Sequence, residues 1–156
     1  MLIVLFALKD DGGTEYYKHL SGRLKKFSKK DLIFEKANKR DFVSQVEKAD
    51  VVFLEGGDTN RMLTTLRGCL DLKELFIGKT IIGSSAGAYA LGALGTSHGE
   101  IHARKGLGVL PLRIVCHYKS NSLPPSDTSL EEIKNTYGEL ELLLLKDYEY
   151  KVFYTS

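Results

Sequence analysis

The sequence carries little charge of one sign: 22 Lys and Arg stand against 20 Asp and Glu, for a net charge of +2. A nucleic-acid-binding domain usually shows a strong basic excess, so that class is set aside. One local basic cluster, between Lys18 and Arg40 and opposed only by Asp31 and Glu35, reads as a solvated helix face. Cysteine is scarce too. Cys69 and Cys116 lie far apart without metal-type spacing, which points to reduced thiols and a cytoplasmic location. No apolar run reaches membrane length. The opening stretch Met1 to Leu8 is too short for a span, has no basic region before it and no small-residue cleavage site after it, and reads as a strand. Walker lysines and Gly-x-Gly-x-x-Gly turns are missing, which weakens any nucleotide-binding reading. Repeats and linkers are absent as well. What remains, 156 residues of which 43% are hydrophobic and 27% charged, fits one globular domain over residues 1–156 with a proper core.

What is present is an alternation of bare apolar runs and amphipathic stretches. Residues 2–8, 31–36, 51–54 and 80–83 read as strands. Tyr17, Leu20, Leu24 and Phe27 stripe a first helix. Residues 40–48 form a second, the segment around Met62, Leu63 and Leu66 a third that stops at Gly68, and residues 70–76 a short fourth. Short connections between such units imply a parallel sheet covered by helices on both faces, with ligands bound beyond the carboxyl ends of the strands. The glycine-rich stretch 92–109 reads as a flexible or tightly turning region, and Leu110 to Cys116 as another strand. Ser129 to Glu132 reads as a capping box opening a last helix to about Tyr137. Residues 140–145 and 150–154 read as a closing antiparallel hairpin around Asp147.

The most informative stretch is Thr80-Ile81-Ile82-Gly83-Ser84-Ser85-Ala86-Gly87-Ala88, which fits Gly-x-Ser-x-Gly. In that pattern a buried strand turns sharply into a helix and exposes one serine hydroxyl at the bend. The N–H of Ala86, unpaired at the helix start, points where an oxyanion would form, and Gly57 of the Gly56-Gly57 turn could donate the second bond. A serine needs a base, and the base needs an acceptor on its other ring nitrogen. His117, just past an apolar strand in the same half of the sheet, is the best-placed base. Glu100 is the first choice for the acid and Asp127 the second. His98, Glu100 and His102 could be imagined as a metal cluster, but both histidines would have to turn to one side of a short loop, so no metal and no cofactor is expected.

Three blocks in register resemble the peptidase E family of serine peptidases, the α-aspartyl dipeptidases and their cyanophycinase relatives. They are Phe53-Leu54-Glu55-Gly56-Gly57-Asp58-Thr59, the elbow itself, and Gly106-Leu107-Gly108-Val109-Leu110-Pro111 running on to His117-Tyr118. The similarity spans about residues 1–120. It implies an α/β three-layer sandwich with a mostly parallel sheet, like the class I glutamine amidotransferases. It also implies Ser85 as nucleophile, His117 as base, an acid near Glu100, and an oxyanion hole from Gly57 and Ala86. Known members cleave peptide bonds after an aspartyl residue without a metal. Asp58 stands where aspartyl dipeptidases carry asparagine, and Lys119 where they carry substrate-binding arginines; both are candidates for contact with the substrate. The partner expected is a small peptide substrate, with no nucleic acid and no membrane, and a homodimer left open.

Overall fold

The structure, a computed structural model, describes residues 1–69, 71–96 and 98–154. Strand β1 (Leu2–Val4) opens the chain, and residues 2–7 are all buried, as an uninterrupted apolar run requires. A 3₁₀ turn over Lys9–Gly12 leads into α1 (Gly13–Phe27), followed by β2 (Glu35–Lys36), α2 (Phe42–Lys48) and β3 (Val51–Leu54). Then come α3 (Thr59–Leu66), α4 (Leu72–Phe76), β4 (Thr80–Gly83) and α5 (Ala86–Leu91). The chain closes through β5 (Leu94–Thr96), β6 (Arg104–Lys105), β7 (Leu112–Val115), α6 (Asp127–Asn135) and β8 (Glu141–Leu144). The expected start of α4 at Leu70 lies outside the described residues. Among the described residues no helix is long and apolar enough to cross a membrane.

The strands pair as two four-stranded groups, β2-β1-β3-β4 and β6-β5-β7-β8, with every pairing parallel except β5 with β6. The fold class is therefore α/β and mostly parallel, as expected, but the single sheet anticipated from the alternation is divided. Helix α5 sits at the division and packs against strands of both groups. The main core joins Leu2, Val4 and Phe6 to Phe42 and Val46 of α2, Met62 and Leu66 of α3, and Leu72 and Phe76 of α4. Phe6 and Phe42 meet edge to face with centroids 5.3 Å apart. A second cluster gathers Tyr89, Leu112, Ile114 and Cys116, and a third Leu94, Val115 and Ile133.

The glycine-rich stretch turns tightly, one of the two readings its composition allows: Gly106 N–H donates to Ala93 O, Leu107 N–H to Ala90 O and Gly108 N–H to Gly92 O, so the segment folds back onto the end of α5. Two sequence expectations are corrected. The cap of α6 is Ser126, whose hydroxyl accepts from Ser129 N–H. Glu132 is thereby freed to accept from Ala103 N–H instead of closing a capping box. The terminal hairpin does not form. Strand β8 runs parallel to β7, Leu112 opposite Glu141 and Val115 opposite Leu144, while residues 150–154 take no strand pairing. A parallel partner was hidden because the apolar run 140–145 has no period that distinguishes the two directions.

Arg113 explains how β8 is held. The residue is 7% exposed, and its guanidinium donates from Nε to Leu140 O and from Nη1 to Ile133 O, Lys134 O and Thr136 O. One side chain thus satisfies the orphan carbonyls ending α6 and the turn that starts β8, with the cation at the negative end of the helix. Arg113→Met should lower the unfolding free energy by about 3 kcal/mol, because charged hydrogen bonds are lost and buried carbonyls are left unpaired. The midpoint of urea denaturation measures this.

Candidate active site

Ser85 sits between β4 and α5 with φ 47° and ψ −107°, a conformation that a non-glycine residue holds only under constraint. The constraint is steric. A Cβ on Gly87 would lie 2.1 Å from Leu54 O, and one on Gly83 would lie 2.6 Å from the backbone of Ala88. Only bare backbone lets α5 approach β3 and β4 this closely. Gly56 faces the bend from β3, where a Cβ would come 3.2 Å from Ser85 Cβ. Cys116 Sγ, 3.4 Å from Ser85 O, ties the bend to the end of β7; burial pushes its thiol pKa up to about 12, so it stays a neutral donor.

Ser85 Oγ lies 2.9 Å from His117 Nε2, and His117 Nδ1 lies 2.7 Å from Asp147 Oδ1. Serine and histidine are therefore brought together as expected, but the carboxylate on the ring is neither Glu100 nor Asp127. Glu100 is corrected on direct geometry: its Oε2 receives Arg104 Nε at 2.5 Å, and Arg104 reaches onward to Asn60 Oδ1. An arginine four residues away consumes the carboxylate that sequence order had offered to the histidine. Asp127 opens α6. Asp147 was missed because it was placed in a hairpin turn. The parallel register sets Val115 level with Leu144, so the residues just beyond the two strands emerge side by side, His117 from one and Asp147 from the other. The signal that could have found it is a carboxylate shortly after the last apolar run, once that run is read as parallel.

Asp147 has its carboxyl pKa lowered by the Ser120 hydroxyl first and the His117 ring second. Its side chain is about one third exposed, which leaves the pair partly open to solvent. The N–H groups of Gly57 and Ala86 have no acceptor among the described residues, whereas Gly56 N–H is taken by Glu55 Oε1 at 2.7 Å. Asp58 is the cap of α3, accepting from Asn60 and Arg61 N–H, and its other oxygen faces Arg61 Nε at 3.6 Å. A substrate contact was expected of Asp58, but its side chain is engaged in structure. Lys119 Nζ lies 5.4 Å from the Tyr118 ring centroid, a cation–π contact. His98 turns to Pro124 O and His102 to Glu132, so the two histidines face different partners.

A strained serine at a strand-to-helix bend on a mostly parallel α/β fold, with an imidazole at its hydroxyl, defines the class of α/β serine hydrolases. Within that class the chain belongs to peptidase family S51, whose family model matches residues 8–152. It is thereby a serine peptidase of the peptidase E type. Among solved structures, a protein described as a candidate peptidase E from Listeria monocytogenes EGD-e shares the fold. The TM-score is 0.63 at 18% identity, covering 94% of this chain and 77% of that one. No curated protein sequence matches the chain.

Two outcomes follow from this geometry. Gly87→Ala should cost about 3 kcal/mol or more, since no rotamer relieves a Cβ pressed on a carbonyl oxygen; thermal unfolding checks it. The Asp147 carboxyl titrates lower folded than unfolded, so between those two values the unfolded chain binds more protons. Stability should therefore fall as the pH drops below about 4. The stability gap between wild type and Asp147→Asn should close over the same range in acid-unfolding curves.

Proposed function

We propose that the chain hydrolyses small peptides through a Ser85-His117-Asp147 triad. His117 Nε2 takes the proton from Ser85 Oγ as the oxygen attacks the scissile carbonyl, and the Gly57 and Ala86 N–H groups receive the oxyanion. The imidazolium then gives that proton to the leaving amine. Water, deprotonated by the same nitrogen, releases the acyl group from Ser85. Asp147 holds the ring in the tautomer with its proton on Nδ1 and stabilises the imidazolium that forms. The observation that carries this reading is the continuous line of contacts from Ser85 Oγ through His117 to Asp147, at 2.9 and 2.7 Å. The free Gly57 and Ala86 donors support the hole. Free Cys69 and Cys116 support a cytoplasmic setting.

The reading places no weight on aspartate specificity. Asp58 is already engaged with its own helix, and Lys119, stacked on Tyr118, presents a point charge without the paired donors that grip a carboxylate. Labelling by a fluorophosphonate is expected for the wild type and absent in Ser85→Ala. Turnover of a dipeptide panel should fall by about a thousandfold or more in Asp147→Asn and by less than tenfold in Glu100→Gln. Equal labelling of wild type and Ser85→Ala, or a larger loss in Glu100→Gln than in Asp147→Asn, overturns the assignment.

A further inference from the structure

Two acidic groups around the bend face arginines, Asp58 with Arg61 and Glu100 with Arg104, and Asp147 is engaged by the His117 ring. Glu55 has no cationic partner among the described residues. It is half-buried, one residue before Gly56, whose N–H donates to Glu55 Oε1 at 2.7 Å. The Tyr16 phenol, in the first turn of α1, has its pKa raised by burial first and then by the nearby Glu55 carboxylate. A half-buried carboxylate with one backbone donor and no counter-charge gains from a cation brought by a ligand.

Its position suits a substrate. Gly56 links the carboxylate to Ser85: the Gly56 N–H holds Glu55 Oε1, and a Cβ on Gly56 would lie 3.8 Å from Ser85 Oγ. Covalent geometry then keeps the carboxylate within roughly 10 Å of the attacking oxygen. An ammonium on the acyl-side residue, whose own nitrogen lies about 2.5 Å from its carbonyl carbon, falls inside that reach.

We propose that Glu55 is a specificity-determining residue, its carboxylate receiving an ammonium group of the acyl-side residue of the substrate. This rests on the serine-peptidase reading above. The Gly56 N–H orients the Glu55 carboxylate, so that discrimination falls between charged and neutral forms of the same substrate. The ammonium has two sources, the free α-amino group or a lysine-type side chain.

The experiment measures kcat/KM for alanyl-alanine against N-acetyl-alanyl-alanine, and for N-acetyl-lysyl-alanine against N-acetyl-norleucyl-alanine. The enzymes are wild type, Glu55→Gln and Glu55→Asp, each first shown to be labelled at Ser85 by a fluorophosphonate. The wild type should favour the charged member of one pair by about tenfold or more, the pair identifying the source. Glu55→Gln should lose that preference and Glu55→Asp keep part of it. For an α-amino source, the wild-type KM should rise above about pH 8 as the ammonium deprotonates. A labelled wild type with no preference in either pair, or a preference unchanged in Glu55→Gln, overturns the subsite and leaves the triad standing. A wild type that is not labelled overturns both readings.

Discussion

The contact that the rest of the site depends on is the approach of α5 to β3, where Gly87 meets the Leu54 carbonyl with no side chain between them. That approach sets the angle at which α5 leaves β4 and holds Ser85 at φ 47° against its steric preference. Strain of this kind costs about 1–3 kcal/mol per residue and survives only where surrounding packing over-determines it. Ala86, Tyr89, Ala90 and Leu91 supply that packing, all buried between the two strand groups. The hydroxyl is thus presented by the core, through a helix with no freedom to rotate away.

The imidazole and the acid reach the bend by a different principle, strand register. In a parallel pair, residues level in the ladder leave the sheet at the same edge, so β7 and β8 deliver His117 and Asp147 together. His117 also has positive φ, at 59°, so the chain turns as soon as β7 ends and swings the ring toward Ser85. Around this line the remaining carboxylates are neutralised locally, Asp58 by a helix start and Arg61, Glu100 by Arg104. Glu55, one residue before Gly56, has no cationic partner among the described residues.

How much of this was legible in the sequence follows from which signals are local. The elbow was legible because Gly83, Ser85 and Gly87 encode a steric requirement within five consecutive positions. His117 was legible because an apolar strand ends just before it. The early strands and helices followed from runs such as 51–54 and stripes such as Met62, Leu63 and Leu66, whose burial depends on neighbours close in sequence. The acid was not legible, since its place is set by the pairing of β8 with a strand almost thirty residues earlier, and the run 140–145 carries no mark of direction. Glu100 misled for the complementary reason: chain order favoured it, while a nearby arginine, visible in the sequence but without a fixed geometry there, captured it. Ser126 likewise takes the place of Ser129 as the cap, and Glu132 accepts from Ala103 N–H across the fold.

These differences in origin carry through to the mechanics of the triad. Ser85 precedes a helix that is largely buried, and His117 follows a strand whose every residue is buried. Asp147 follows β8, an edge strand among the described residues, in a turn where Lys146 N–H donates to the Glu149 side chain and Tyr148 is fully exposed at φ 66°. The firm hold on that strand is at its opposite end, where Arg113 grips Leu140 O. Local opening free energies follow buried contacts and protected hydrogen bonds, so the acid limb is the first part of the site to loosen. In the proposed triad Asp147 orients the imidazole, so its loosening would change the population of correctly held rings and leave the nucleophile where it is. On that reading reactivity depends on a peripheral strand, while the serine it serves is held by the buried helix α5.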